Sequence, residues 1–403
     1  MSAPGLVLHV RPNAERAIRG GHPWLYDQAI RRQRGDGQPG DLAALYDHRN
    51  RFLAIGLYDP TSPLRVRILQ HGHPAPIDSA WYRARLTEAA RLREPLARTR
   101  TTGLRLVHGE NDGLPGLVID RYHTTLVLKL YTVAWVPRLR DVVPALEELW
   151  PAKRLVLRLS RLVQQHEQWL QGLRDGIVLA GAALSEPIVF EEHGLRFEVD
   201  PRRGQKTGFF LDQRENRAML EQWCRHAMVL DVFAYTGAFS VYAARGGARE
   251  VVSLDASAAA LAAARRNMAL NRRTVAVARA KHTVMAGQAF ERLARLRAQG
   301  RRFDAVVLDP PTFANAKDDV PKALETYRRL AGLGLGVLRP GGLLVASSCS
   351  GQISAPMFFG AVRRAASASG RTLRELARTG HPLDHPVRFP EGAYLKCLFA
   401  LAV

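Results

Sequence analysis

Polar side chains that could do chemistry stand at the ends of four apolar segments in the second half of the chain. They are Asp231, Asp255, Asp309 and Cys349. Carboxylates accept hydrogen bonds from hydroxyl and amino groups, and a cysteine thiolate is a strong nucleophile. A lone cysteine is more often an inert buried residue. The small polar residues around Cys349 favour the reactive alternative, whereas Cys224 and Cys397 lie in apolar surroundings and are interpreted as structural.

The elements that must position these side chains are short apolar strands that alternate with helices. The strands are predicted at residues 229–232, 251–254, 283–286, 303–308 and 343–346. This alternation is typical of βαβ units, which build a doubly wound parallel sheet of the Rossmann-like α/β class. Ligands bind such sheets beyond the carboxyl ends of the strands, where the four side chains are expected to meet.

The turn after the first of these strands indicates which ligand is bound there. A strand, a turn with Gly237 and a helix N-terminus form a site of the nucleotide-binding type. A pyrophosphate needs small glycines early in such a turn, but Phe233 and Tyr235 occupy those places. We therefore expect S-adenosylmethionine rather than a nicotinamide dinucleotide. Asp255, 24 residues after Asp231, could accept both ribose hydroxyls, or it could cap the helix that follows.

The first half of the chain is predicted to form two further domains. Residues 1–75 have the short strands and turns of a small β-barrel, and Arg65 and Arg67 alternate with apolar residues in one of them. That arginine face could contact RNA phosphates, although a solvated strand face is an equally good interpretation. Residues 76–190 are predicted to be an α+β middle domain without evident chemistry, and residues 191–403 form the α/β domain.

The composition favours nucleic acid as the partner. The 58 basic and 37 acidic residues give a net charge of +21, which is spread over the whole chain. An arginine-rich codon bias would give the same excess. The three cysteines lack metal-ligand spacing, so we expect no metal site and a reducing, cytoplasmic environment. We also expect no membrane segment. The oligomeric state is open between a monomer and a homodimer.

Taken together, these motifs resemble a known family over nearly the whole chain. The chain is similar to the class I 23S ribosomal RNA large-subunit methyltransferases that contain a PUA domain and make 5-methylcytosine. The resemblance rests on residues 21–24 and 39–41 for the PUA domain, 107–116 and 192–195 for the middle domain, and 204–214, 229–240, 309–313 and 348–351 for the catalytic domain. It implies ribosomal RNA as the partner and S-adenosylmethionine as the cofactor.

The resemblance also implies a role for individual residues. The cofactor would be lined by Gln213, Asp231, Phe233, Thr236, Gly237, Asp255, Asn267, Gln288 and Asp309. Cys349 would be the nucleophile and Asp309 would face both the cofactor and the base, while RNA would contact Lys206, Phe313, Arg65 and Arg67. Gln288 replaces the usual aspartate near the adenine, and Thr312 replaces a more usual lysine or alanine.

The expected reaction begins with addition of the Cys349 thiolate to carbon 6 of cytosine, because carbon 5 alone is a poor nucleophile. Phe313 could stack on the flipped base or could be a packing residue. Two other functions remain open at this point. One is methylation of a guanine nitrogen without a covalent cysteine, and the other is a ribosome assembly factor that holds the cofactor without catalysis.

Overall fold

The computed structural model describes residues 5–202, 204, 206–314 and 316–403. The chain divides into two compact units. The first contains the described residues up to 190, residues 199–211 and residues 383–392, and the second contains residues 191–198, 212–382 and 393–403. Residues 199–211 and 383–392, which the sequence analysis places in the C-terminal domain, therefore belong to the first unit.

Twenty strands and eleven α-helices make up the described chain. The strands are β1 Leu6–Val10, β2 Trp24–Leu25, β3 Ile30–Arg34, β4 Leu42–Tyr46, β5 Phe52–Tyr58, β6 Val66–His71, β7 Gly103–His108, β8 Leu117–Tyr122, β9 Thr125–Leu130, β10 Arg154–Leu159, β11 Val178–Gly181, β12 Ile188–Glu192, β13 Leu195–Val199, β14 Met228–Val232, β15 Glu250–Asp255, β16 Lys281–Ala286, β17 Phe303–Leu308, β18 Leu338–Ser348, β19 Leu373–Thr379 and β20 Lys396–Ala402. The helices are α1 Pro12–Arg19, α2 Ser79–Arg93, α3 Leu139–Leu149, α4 Arg161–Gln164, α5 Arg214–Glu221, α6 Ala238–Arg245, α7 Ala258–Leu270, α8 Val275–Arg279, α9 Ala289–Ala298, α10 Val320–Val337 and α11 Ala355–Ala368.

The first unit is built on two sheets. Strands β1–β6 form a six-stranded sheet in the order β2-β6-β5-β4-β1-β3, and strands β7–β11 form a five-stranded sheet in the order β11-β10-β9-β8-β7. Asp78 is a typical helix N-cap residue, and α2 begins directly after it, because the Asp78 side chain accepts a hydrogen bond from the Trp81 amide. The α-helix ends at Arg93, and the 3₁₀ helix Glu94–Thr99 follows it directly.

The second unit contains the predicted Rossmann-like sheet. Its seven strands lie in the order β16-β15-β14-β17-β18-β20-β19, and the first five are parallel neighbours. Strand β20 is antiparallel to both β18 and β19. The doubly wound α/β fold is therefore confirmed, and an antiparallel pair that the sequence analysis did not assign extends one side of the sheet.

The core of the second unit explains why this sheet forms. Its central strands are apolar on both faces, because helices cover both sides of a parallel sheet. Leu230, Val252, Val306 and Leu344 are each at most 3% exposed, and they pack with residues of α9, α10 and α11. Within the described residues, no helix is both long and apolar enough to span a membrane.

Candidate active site

The carboxyl ends of the five parallel strands bring the predicted site residues to one edge of the sheet. Asp231 lies in β14, opposite Ser253 of β15 and Val307 of β17. Asp255 ends β15, Asp309 follows β17 and Cys349 follows β18. The strand order thus puts the predicted cofactor residues on the β14–β15–β16 side and the predicted base-binding residues on the β17–β18 side.

The turn after β14 has an unusual backbone. Phe233 and Tyr235 adopt left-handed conformations, with φ of 63° and 48°, which cost side-chain-bearing residues roughly 1–2 kcal/mol each. Gly237 also has a positive φ, 74°, and a Cβ atom there would lie 2.7 Å from Ala264 Cβ. Gly237 is therefore required by the close approach of the turn to α7. Non-glycine residues in such conformations cluster at ligand-binding sites.

Asp231 is a buried carboxylate with one oxygen left open. The side chain is 1% exposed, and Oδ2 accepts a 2.7 Å hydrogen bond from Ser240 Oγ. Oδ1 has no hydrogen-bond partner among the described residues. Burial raises the pKa of Asp231 to about 7, which the Ser240 hydrogen bonds offset only in part. A buried acceptor without a partner costs free energy, so this oxygen is a good place for a cationic ligand group.

The neighbouring predicted cofactor residues divide into two kinds. The Thr236 hydroxyl is buried and lacks a hydrogen-bond partner in the described part of the chain, as expected of a ligand-binding group. The carboxylate of Asp255 accepts hydrogen bonds from the amides of Tyr235 (2.9 Å) and Ser257 (2.8 Å), so it orders the turn and the start of α7.

Asn267 is fully buried, and its amide is used within the protein. Its Nδ2 donates to the Thr236 carbonyl and its Oδ1 accepts from the Glu198 amide, both at 2.8 Å. The side chain therefore holds the Thr236 turn in place rather than presenting a free amide to a ligand. Gln288 is exposed directly after β16, where its side chain makes no capping bond to α9.

Gln213 and Asp309, which are far apart in sequence, are directly bonded. Gln213 Nε2 donates to Asp309 Oδ1 at 2.8 Å, and its Oε1 accepts from Asn216 Nδ2 at 2.5 Å. Because the glutamine is buried and held on both sides, it fixes the orientation of the partly exposed Asp309 carboxylate. The structure thus joins one predicted cofactor residue to the predicted base-binding residue.

Cys349 lies in a loop that is tied to the Asp309 loop. Its Sγ is 3.9 Å from the Pro310 carbonyl, and Ser350 Oγ donates to the Ala314 carbonyl at 3.1 Å. Cys349 is partly exposed, whereas Cys224 and Cys397 are fully buried, and burial raises the pKa of each of those thiols to about 12. Exposure therefore separates Cys349 from the other two cysteines as the sequence analysis expects.

Two residues beside Cys349 were missed by the sequence analysis. The first is Tyr327 of α10, whose hydroxyl accepts from Ser348 Oγ at 3.0 Å and whose ring lies 4.8 Å from that of Phe313. Burial, together with Cys349 and Asp309, raises the pKa of Tyr327 to about 12. The Phe313 ring therefore has a packing partner, while its partial exposure leaves a face for a base.

The second is Lys396 of β20, which is 4% exposed. Its Nζ donates to the carbonyls of Ser350 (2.5 Å) and Ile353 (2.6 Å), on the loop that carries Cys349. Within the described residues, no carboxylate forms an ion pair with it. Burial lowers the pKa of Lys396 from its ordinary 10.5 to about 8, and the interaction with Cys349 offsets part of this decrease. A charged residue inside the apolar run from Tyr394 to Ala400 is the sequence signal that could have identified it.

Arg67, on the predicted arginine face of the barrel, is buried and does not face solvent as that prediction requires. That side chain is 7% exposed, its ion pair with Asp59 is 3.8 Å long, and burial lowers its pKa. Val66 and Ile68 pack in the core of the N-terminal sheet, whereas middle-domain residues cover the other face of β6. Leu69 packs with those residues, and a Cβ atom on Gly116 would lie 3.0 Å from Arg67 Nε. Arg65 is half-buried and donates to the Pro60 carbonyl at 2.6 Å.

Lys206, the other predicted RNA contact, belongs to the first unit. Its carbonyl accepts a 3.0 Å hydrogen bond from Lys129 Nζ, and its own Nζ lies 4.6 Å from the centre of the Phe210 ring. The next residue, Thr207, donates to Asp120 and bonds to the Tyr122 hydroxyl. Of the segment 204–214, Gln205 lies outside the described residues.

Comparisons with known proteins define the class. Residues 104–399 match the family described as S-adenosylmethionine-dependent methyltransferase, and residues 8–71 match a PUA-like domain. The fold agrees: a methyltransferase crystal structure complexed with SAH superposes with a TM-score of 0.83 at 22% identity and covers 98% of this chain and 99% of its own. A SAM-dependent methyltransferase from Streptococcus mutans gives a TM-score of 0.82 at 21% identity, with 98% and 99% coverage.

Curated relatives narrow the class further. The chain is 48% identical over 403 residues to the ribosomal RNA large subunit methyltransferase of Deinococcus radiodurans, covering 99% of this chain and 98% of the relative. It is 36% identical over 402 residues to the ribosomal RNA large subunit methyltransferase I of Aeromonas salmonicida, with 98% and 99% coverage. The chain therefore belongs to the S-adenosylmethionine-dependent methyltransferase family, and its cofactor is S-adenosylmethionine.

Proposed function

We propose that this protein methylates carbon 5 of a cytosine in 23S ribosomal RNA and that Cys349 is the nucleophile. The names of the relatives support a ribosomal RNA substrate. The position of Cys349 supports the cytosine chemistry, because a partly exposed thiol follows β18 beside the loop that carries Asp309. Methylation of a guanine nitrogen would give that cysteine no role.

The cofactor side of the site fits S-adenosylmethionine. The unpartnered buried oxygens of Asp231 and Thr236 would bind its polar groups, and Phe233 offers a partly exposed ring in place of phosphate-binding glycines. Asp255 would bind the ribose hydroxyls in addition to the two amides that it accepts. When bound, the cofactor supplies an electrophilic methyl group on its sulfonium.

The other side of the site would activate the base. The Cys349 thiolate adds to carbon 6 of the flipped cytosine, which makes carbon 5 nucleophilic. After carbon 5 has taken the methyl group, a base removes the carbon-5 proton, the carbon 6–sulfur bond breaks and the Cys349 thiolate is released. Asp309, held by Gln213, bonds to N3 or the exocyclic amine and keeps the ring in place during the transfer. The Lys396 ammonium, buried beside the loop, stabilises the thiolate, because a nearby positive charge lowers the pKa of a cysteine.

Replacement of Cys349 by Ala tests the mechanism. We expect no methyl transfer to 23S ribosomal RNA purified from cells that lack this protein, when 5-methylcytosine is mapped by bisulfite sequencing. The Cys224→Ala variant is the matched control, because it removes a buried thiol outside the site and is expected to keep full activity once its fold is verified by circular dichroism. RNA that contains 5-fluorocytidine should form an adduct with the wild type but not with Cys349→Ala.

The same experiment separates the other functions. Full transfer of a labelled methyl group by Cys349→Ala, without 5-methylcytosine in the RNA, would rule out the covalent mechanism and favour methylation of a guanine nitrogen. Binding of ribosomal RNA by the wild type without transfer of a labelled methyl group would favour an assembly factor instead.

A further inference from the structure

A chain of four polar side chains crosses three strands of the sheet and ends at Asp231. Ser240 Oγ donates to Asp231 Oδ2 at 2.7 Å, Ser240 Oγ and Ser253 Oγ are 2.6 Å apart, and Ser253 Oγ is 2.8 Å from His282 Nε2. Asp231, Ser240 and Ser253 are at most 1% exposed, whereas His282 is partly exposed. The chain therefore connects a buried carboxylate to the edge of the sheet.

The strand register explains why these side chains meet. Asp231 of β14 pairs with Ser253 of β15, so both point to the same face. His282 of β16 pairs with Val251, two residues before Ser253, so it lies diagonally opposite the serine on that face. Ser240 is in the first turn of α6, which packs on this face. Four polar residues in an otherwise apolar core need such mutual bonding.

The chain can carry hydrogen bonds in either direction. When Asp231 is ionised, His282 Nε2–H donates to Ser253, Ser253 donates to Ser240, and Ser240 donates to the carboxylate. When Asp231 is protonated, every donor reverses and Ser253 donates to the unprotonated Nε2 of the other His282 tautomer. A proton that arrives at His282 Nδ1 can thus appear on Asp231, with each serine giving one proton and receiving one.

We propose that His282, acting through Ser253 and Ser240, is a positioning residue that sets the protonation of Asp231 and hence the pH dependence of cofactor binding. The proposal rests on the assignment of Asp231 to the cofactor site under the proposed function. S-adenosylmethionine carries an ammonium and a sulfonium, and an ionised carboxylate binds a cation more strongly than a neutral acid does.

The charged groups around Asp231 and His282 are consistent with this positioning role of His282. Burial raises the pKa of Asp231 to about 7; Asp255 adds to this increase and Arg217 opposes it. Burial and the positive charge of Arg265 lower the pKa of His282 to about 4. At pH 7 the histidine is therefore neutral and has both tautomers available, which the reversal of the chain requires.

The affinity for S-adenosylhomocysteine, measured by calorimetry between pH 5.5 and 8.5, tests the proposal. In the wild type we expect the affinity to rise by up to tenfold per pH unit below a midpoint near 7 and then to level off, as Asp231 ionises. His282→Ala and Ser253→Ala each remove a link that stabilises the ionised carboxylate. Each should move the midpoint upward by about one unit, and the double variant should move it no further.

Two variants of the same strand serve as controls. Thr283→Ala removes an exposed side chain next to His282 and should leave the midpoint unchanged. His282→Gln keeps both a donor and an acceptor for Ser253, so we expect it to restore most of the wild-type profile. An equal loss of affinity at every pH in His282→Ala would overturn the proposal, because a purely structural role lowers affinity without moving the midpoint.

The Asp231→Asn variant distinguishes failure of this inference from failure of the site assignment. If Asp231→Asn binds S-adenosylhomocysteine as the wild type does, Asp231 is outside the cofactor site. If instead Asp231→Asn removes the pH dependence while the His282 and Ser253 variants keep the wild-type midpoint, the assignment stands and the positioning role of His282 is wrong.

Discussion

The two sides of the candidate active site are built in opposite ways. On the β14–β15 side the key side chains of Asp231, Ser240, Ser253 and Asn267 are at most 1% exposed and are held by hydrogen bonds inside the sheet and its helices. On the β17–β18 side, Asp309, Phe313 and Cys349 are partly exposed and lie in two loops that are bonded to each other.

This difference matches the two ligands of the proposed reaction. A small cofactor with fixed groups is bound best by buried groups that do not rearrange, whereas a base from a large RNA has to enter from solvent. The loop side nevertheless has buried anchors: Gln213 holds Asp309, and the Lys396 ammonium donates to two carbonyls of the Cys349 loop. We therefore expect changes on the loop side to affect the chemical step, and changes on the sheet side to affect cofactor binding and stability.

Among the residues that surround Cys349, the largest effect is expected for Lys396→Met. Loss of the ammonium should raise the pKa of the Cys349 thiol by about 1–2 units and lower kcat on the order of 100-fold. In the wild type, activity should fall as pH rises above about 8, because the pKa of Lys396 is about 8 and the ammonium is then lost. The rate of Cys349 alkylation by iodoacetamide against pH measures the thiol pKa directly.

Two further variants serve as controls for the Lys396→Met test. Lys396→Arg retains a charge and should recover part of the activity, and Lys322→Met, which removes an exposed lysine of α10, should behave as the wild type. Affinity for S-adenosylhomocysteine should change less than twofold in Lys396→Met. An unchanged alkylation profile would show that Lys396 only anchors the loop.

On the sheet side, Asp231→Asn should weaken the cofactor site and stabilise the unliganded protein. The pKa of Asp231 rises from its ordinary 3.8 to about 7 in the folded state. The native state therefore holds an extra proton between about pH 4 and pH 7, and stability is lost as the pH rises through that window. At pH 8 the cost is on the order of 4 kcal/mol. The gain in melting temperature over the wild type should thus be larger at pH 8 than at pH 5.

The same substitution should have an unfavourable effect on ligand binding. Because the open oxygen of Asp231 would bind a cationic group of the cofactor, Asp231→Asn should lower the affinity for S-adenosylhomocysteine by about tenfold at pH 8. If Asp231→Asn raised the melting temperature of the unliganded protein equally at pH 5 and pH 8, that result would argue against a buried ionised carboxylate in the free protein.

Much of this comparison could be predicted from the sequence, for a physical reason. Alternating apolar strands and helices define a parallel sheet, and the carboxyl ends of its strands must meet at one edge. The positions of Asp231, Asp309 and Cys349 follow from that rule alone. The position of Lys396 does not, because β20 is antiparallel and brings Lys396 to the end of β18 through pairing that no local pattern encodes. The position of Tyr327 does not either, because it reaches Ser348 from α10 through a tertiary contact.

The interpretation of Arg67 fails for a related reason. Alternation of apolar and charged residues in β6 indicates that its two faces differ, but it does not show that the charged face is solvated. Residues of the middle domain cover that face, and Arg67 is buried with Asp59 as its ion-pair partner. The use of the Asn267 amide by the Thr236 turn is likewise a tertiary contact without a sequence signature.

The smallest effect is expected for the hydrogen bonds to the Ala314 carbonyl, in the loop that follows β17. Thr312 Oγ1 and Ser350 Oγ donate to the same carbonyl, that of Ala314, at 3.0 and 3.1 Å. Removal of one donor leaves the other in place, so Thr312→Ala should cost only about 0.5–1 kcal/mol, a two- to fivefold loss of kcat. Removal of both would leave the carbonyl of the buried Ala314 without either hydroxyl donor, and it would also remove the Ser350 bond that links the two loops.

A double-mutant cycle on Thr312 and Ser350 measures this redundancy. Single-turnover methylation rates are compared for Thr312→Ala, Ser350→Ala and the double variant. Thr326→Ala is the control, because the Thr326 hydroxyl bonds only to the Lys322 carbonyl of its own helix among the described residues. We expect the double variant to lose more activity than the product of the two single losses, because each hydroxyl compensates for the other. Strict additivity would mean that the loops are held by other contacts, and it would weaken the view that this side of the site depends on its loop geometry.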